Sequence, residues 1–231
     1  MYIYSNKLRF VKIIIITIDN DHKVISDLFI RTGRIQYIVM SLALSGFIVF
    51  GRQFIILWAG PEYEDAYIIC LLFFISLLIP LIQNLGITIL QARNQMKFRS
   101  LLYVGLAAIA FISQVIFARL WGAVGCAIAV SCALLIGQGL IMNFYYSRKQ
   151  HIDIIRFWKE ILKMSAVPLF MTVIASLLIS NLKVNTWMQW ISAISVYLLL
   201  YLPLFWTISM NSSERDLVRE PFRKLFREIK S

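Results

Sequence analysis

The residues able to do chemistry in this chain are few, and most are neutral amides set in apolar surroundings. Gln83 and Asn84 follow Pro80, with Gly86 just beyond. Proline and glycine loosen a helix and free backbone groups that a neighbour, water or a polar ligand must satisfy. These residues therefore read either as the lining of a cavity or as a kink closed by a helix–helix hydrogen bond. Gln114 and Gln138 lie in two further apolar runs and carry the same two readings. Arg52 stands within Phe50-Gly51-Arg52-Gln53-Phe54. Its guanidinium either snorkels to an interface or faces a cavity and grips an anionic head group through two parallel hydrogen bonds. Arg52, Gln83, Asn84, Gln114 and Gln138 form the candidate substrate-binding set. No catalytic constellation stands beside them. His22 and His151 sit among charged neighbours, and Cys70, Cys126 and Cys132 lack metal-ligand spacing. No phosphate-binding glycine loop occurs. The expectation is a protein that is not an enzyme, with no cofactor and no metal site.

The elements that must position these residues are six long apolar segments, at 35–58, 66–92, 98–118, 123–146, 161–182 and 187–210. Each is long enough for the ~30 Å hydrocarbon core of a bilayer, which takes about 20 residues of helix. The chain is 60% hydrophobic and 15% charged, with a mean hydropathy of +0.76. A soluble domain of this size cannot hide that much apolar surface. The fold class is therefore all-α, a polytopic membrane helix bundle of about six transmembrane helices. Charge sets its expected orientation. Of 23 Lys and Arg residues, all but Arg52, Arg119 and Lys183 lie in alternate gaps and the two terminal stretches. Loops that retain Lys and Arg are cytoplasmic, so both termini belong in the cytoplasm and the chain in the cell inner membrane. The net charge of +11 then faces anionic lipid head groups, and no nucleic-acid partner is expected. Acidic residues fall almost entirely in the loops, which argues against a relay of embedded carboxylates.

Three stretches read as basic amphipathic helices lying at the membrane surface. In 22–34, Val24, Ile25, Leu28 and Phe29 oppose Lys23, Asp27, Arg31 and Arg34. In 151–163, Ile155, Trp158, Ile161 and Leu162 oppose Arg156, Lys159 and Lys163. In the tail, Leu217, Val218, Phe222, Leu225, Phe226 and Ile229 form the stripe, and Ser213 with Asp216 resembles a capping box. The organisation is thus a segment 1–34, a membrane domain 35–210 and a basic tail 211–231. Residues 11–18 are apolar but too short to span. Short outer turns predict three helical hairpins. Gly122, Gly125, Ala129, Ala133 and Gly137 give the fourth segment one small face for close packing.

Several stretches resemble a known family. They are Phe29-Ile30-Arg31-Thr32-Gly33-Arg34-Ile35-Gln36, then Phe50 through Gly60, then Tyr63-Glu64-Asp65-Ala66. The turn Ile89-Leu90-Gln91-Ala92-Arg93-Asn94-Gln95-Met96-Lys97 and the run Gly122 through Ala129 add to them. Together they are similar to the polysaccharide and lipid-linked oligosaccharide flippases of the multidrug/oligosaccharidyl-lipid/polysaccharide exporter superfamily, over about residues 22 to 210. The resemblance implies transport of lipid-linked sugar units across the cytoplasmic membrane for surface polysaccharide such as O-antigen, capsule or exopolysaccharide. It implies as partners membrane lipids, the lipid-linked oligosaccharide, polysaccharide assembly proteins and a second lobe. Family members have more than six helices, in two lobes around a cavity, so the chain is expected to be a C-terminal fragment. Two alternatives stand beside this. One is a multidrug or other solute exporter of the same superfamily; the other is a membrane remnant or interaction subunit that transports nothing.

Overall fold

A computed structural model describes residues 22–180 and 186–216. Among them every regular element is helical. The apolar run 11–18 and the tail stripe from Leu217 onward lie outside the described residues. Helix α1 runs from His22 to Trp58, α2 from Asp65 to Ile82, and α3 from Leu85 to Ala92. Helix α4 runs from Met96 to Leu134 and continues through a π-helical segment, Leu135–Met142, into α5, Asn143–Lys149. Helix α6 covers Ile154–Ser180 and α7 covers Trp187–Leu204, with a second π-helical segment at Phe205–Ser209.

Among the described residues five helical runs are long and apolar enough to cross a membrane, which marks the chain as a membrane protein. One of them, Met96–Lys149, has 54 residues. At about 1.5 Å per residue a straight rod of that length would be more than twice the hydrocarbon thickness. It is not straight. At Gly122 the backbone takes φ 56° and ψ −135°, a conformation open to glycine and costly for other residues. The chain reverses there into two arms, 96–120 and 123–149. The predicted small face lies between them: a Cβ on Gly125 would stand 2.1 Å from the Phe117 carbonyl oxygen, and one on Gly137 would stand 2.1 Å from Leu106 Cδ1. Phe98 and Tyr145 stack at 4.3 Å where the arms end. The third and fourth predicted segments are thus the two arms of one hairpin.

Helix α1 is the hub. It packs along α6 and α2 and touches α7, while α2 carries the hairpin on its other side. With 37 residues, α1 is about 55 Å long, so it projects well beyond a bilayer core. Its first turns do not lie on a surface. Ile25, Phe29, Ile30 and Gly33 are buried, and the Phe29 ring sits 5.0 Å from Phe157 and 5.9 Å from Tyr146. The helix runs unbroken through the boundary drawn at residue 34.

Packing also corrects two predicted faces. Val24 is 41% exposed whereas Arg34, assigned to the polar face, is 4% exposed. In the first turns of α6 Ile154, Phe157, Ile161 and Met164 are buried, while Ile155 and Leu162 point outward. Both stretches are membrane-type helices whose polar residues turn inward at chosen positions, so simple amphipathic sorting misassigned them.

Candidate functional site

The second predicted segment is broken where its sequence requires. Pro80 lies inside α2. Three residues later Gln83 leaves helical geometry at φ −106° and ψ 16°, and helix resumes at Leu85. Gln36 on α1 faces the carbonyls at the break. Turned with its nitrogen toward them, its amide would donate to the Leu81 oxygen at 2.9 Å and the Ile82 oxygen at 3.2 Å. Gly33, one turn before Gln36, allows this approach, because a Cβ there would lie 2.7 Å from the Ile82 oxygen and 2.4 Å from the Phe157 ring.

Across the break stands the π-helical segment. Gln83 Nε2 donates to Asn143 Oδ1 at 2.7 Å, and Asn143 Nδ2 donates to the Gly139 carbonyl at 2.6 Å. A π turn leaves its carbonyls less well placed for their own helix, and such turns recur at functional sites. Gln83 and Gln138 are each 2% exposed. Even so, Gln83 Oε1 and Gln138 Nε2 find no hydrogen-bond partner among the described residues. One is a buried acceptor and the other a buried donor, and a buried polar group left unpaired costs about 1–3 kcal/mol. Each of these two amides retains unused hydrogen-bonding capacity, an acceptor at Gln83 and a donor at Gln138.

The remaining sequence candidates lie elsewhere. Arg52 is exposed, and its Nε donates to Glu64 Oε1 at 2.8 Å in the turn after α1. Asn84 is exposed beside the break, and Gln114 is half-buried on the first arm of the hairpin. An apolar cavity of about 400 Å³ lies between α6, α7 and Phe50, and none of the five candidates lines it.

Sequence reasoning missed the most heavily bonded group. Arg34 forks onto Glu214, with Nε to Oε1 at 2.6 Å and Nη2 to Oε2 at 3.1 Å. Its Nη1 donates to Glu160 Oε2 at 2.8 Å and its Nη2 to the Ser209 carbonyl at 3.3 Å. Lys163 closes the set on Glu160 Oε1 at 2.7 Å. Glu214 is 4% exposed, so the expectation that acids stay in solvated loops fails here. Glu214 also accepts from the Asn211 backbone N–H at 2.8 Å. That is half of a capping box at Asn211 and Glu214, not at Ser213 and Asp216. Tyr37, whose hydroxyl pairs with Ser165 at 2.6 Å, and Ser41, which pairs with Tyr201 at 3.2 Å, extend the polar seam along α1. The spacing 34, 37, 41 was available in the sequence as one helical face, but only contact with α6 and α7 makes it a buried one.

No family model, no curated protein and no solved structure matches this chain.

Proposed function

We propose that this chain is a transport component of the cytoplasmic membrane, one lobe of an exporter that moves lipid-linked oligosaccharide units to the outer leaflet for surface polysaccharide assembly. The observation that carries the reading is the break in α2 beside a π turn, with a buried amide acceptor at Gln83 and a buried amide donor at Gln138 left unpaired. Discontinuous helices beside polar pockets are a recurring device of transporters, and unpaired amides suit a cargo rich in hydroxyls. Gln83 and Gln138 are the residues proposed to meet cargo. Arg52, held by Glu64 at an exposed position, is assigned to the interface instead. A proton-driven drug exporter would need a carboxylate free to titrate. The buried acid Glu214 and its neighbour Glu160 are both held by Arg34, which favours the sugar-lipid reading.

In this proposal the end that gathers residues 22–34, 93–99, 148–163 and 209–216 faces the cytoplasm, with Glu62 outside, as the Lys and Arg distribution requires. Reporter fusions after Ser180 and after Ser231 then give signals from opposite sides. Function is tested by deleting the chain in its native cell. Surface polymer should fall while lipid-linked units accumulate in the membrane, and the full chain should restore both. Unchanged surface polymer in the deletion would refute the proposal.

A further inference from the structure

We propose that a groove between the π-helical segment and α6 seats one anionic phospholipid. The groove encloses about 590 Å³ and is walled by Gly139, Leu140, Phe144, Ile154 and Trp158, with Asn143 contributing its polar edge. The surface around it is apolar and outward-facing: in the lining Leu140 is 67% exposed and Phe144 65%, and on α6 Ile155 and Leu162 are also exposed. A surface of this kind on a membrane helix pair accepts an acyl chain.

The choice of an anionic head group comes from charge. Arg148 closes one wall, its guanidinium carbon 5.8 Å from the Phe144 ring centroid. Lys159, the residue after the lining Trp158 on α6, is exposed. Among the described residues neither takes part in an ion pair. Of the nearby acids, Glu160 is held between Arg34 and Lys163, and Asp153 accepts the Arg156 backbone N–H at the start of α6. Between Asp65 and Asp153 the chain has no acidic residue at all. An apolar groove with Arg148 beside its Phe144 wall and the exposed Lys159 next to its Trp158 wall, both outside any ion pair among the described residues, matches an acyl chain with a phosphate at its edge. Arginine supplies the two-pronged contact to phosphate and lysine a point charge. The site depends neither on which leaflet this end occupies nor on what the chain transports.

The test uses the purified full chain in detergent. Native mass spectrometry and thermal unfolding are followed against phosphatidylglycerol, phosphatidylcholine with the same acyl chains, and inorganic phosphate. Phosphatidylglycerol should be retained at one copy and raise the melting temperature, phosphatidylcholine much less, and phosphate not at all. Arg148→Gln and Lys159→Gln should each weaken retention about fivefold, the effect of one basic residue at an anionic surface. Arg31→Gln, which removes an exposed charge from α1, should leave it unchanged. Equal retention of the two lipids, an equal loss for Arg31→Gln, or full stabilisation by phosphate alone would overturn the site.

Discussion

Two polar centres interrupt the apolar interior, and they are finished differently. Around Arg34, every strong donor faces an acceptor: two carboxylates, one carbonyl and, beyond them, Lys163 bring the charges of the four side chains to zero. At the α2 break, Gln36 faces the freed backbone, yet Gln83 and Gln138 each keep one buried atom without a partner among the described residues. A closed network of charges holds its elements in one arrangement, because removing any member strands another. An open pair of neutral amides costs little to rearrange and retains capacity to bind. The first centre ties α1, α6 and the segment after α7 together. The second lies where α2 can flex.

The largest effect should come from breaking the closed centre. Arg34→Met leaves Glu214 buried without a cation and should cost about 3–5 kcal/mol, read as a lowered unfolding midpoint in detergent. Adding Glu160→Gln and Glu214→Gln to Arg34→Met should recover much of that loss, since the stranded charge is gone. Next comes the contact between the centres. Gly33→Ala forces a Cβ into the Phe157 ring and the Ile82 carbonyl, and overpacking of this kind should cost about 1–3 kcal/mol. Gly122→Ala meets no atom within 4 Å, so its cost is conformational, about 1–3 kcal/mol, and should appear as loosening of the hairpin in hydrogen exchange near residues 117–125. Gln83→Leu removes one interhelical hydrogen bond, worth about 0.6 kcal/mol in membrane proteins, and should scarcely move the unfolding midpoint. Arg52→Ala should be smallest, since exposed ion pairs contribute about 0–1 kcal/mol.

Legibility followed the same divide. Segment length and composition pointed to the bundle, and Pro80 with Gly86 marked the break, because these signals act within one helix. The gap between the third and fourth apolar segments, Arg119-Leu120-Trp121-Gly122, holds the glycine at which the backbone turns. Arg34 was sorted with Lys23 and Arg31 as surface charge because its partners lie 126 and 180 residues away. Burial of a charge is decided by such long-range pairing, which a local periodicity cannot report. The same limit separated the candidates: Gln83 finds Asn143 sixty residues on, whereas Arg52 finds Glu64 only twelve residues on. The π turn had no local signature beyond Gly137-Gln138-Gly139.

The central claim is that the α2 break serves cargo while the Arg34 centre serves the fold. Gln83→Leu and Gln138→Leu, each produced in the native cell at matched membrane abundance, test it when surface polymer and detergent unfolding are measured on the same variants. The account predicts wild-type unfolding with a severe loss of polymer. Wild-type polymer in both variants, or a stability loss approaching that of Arg34→Met, would contradict it.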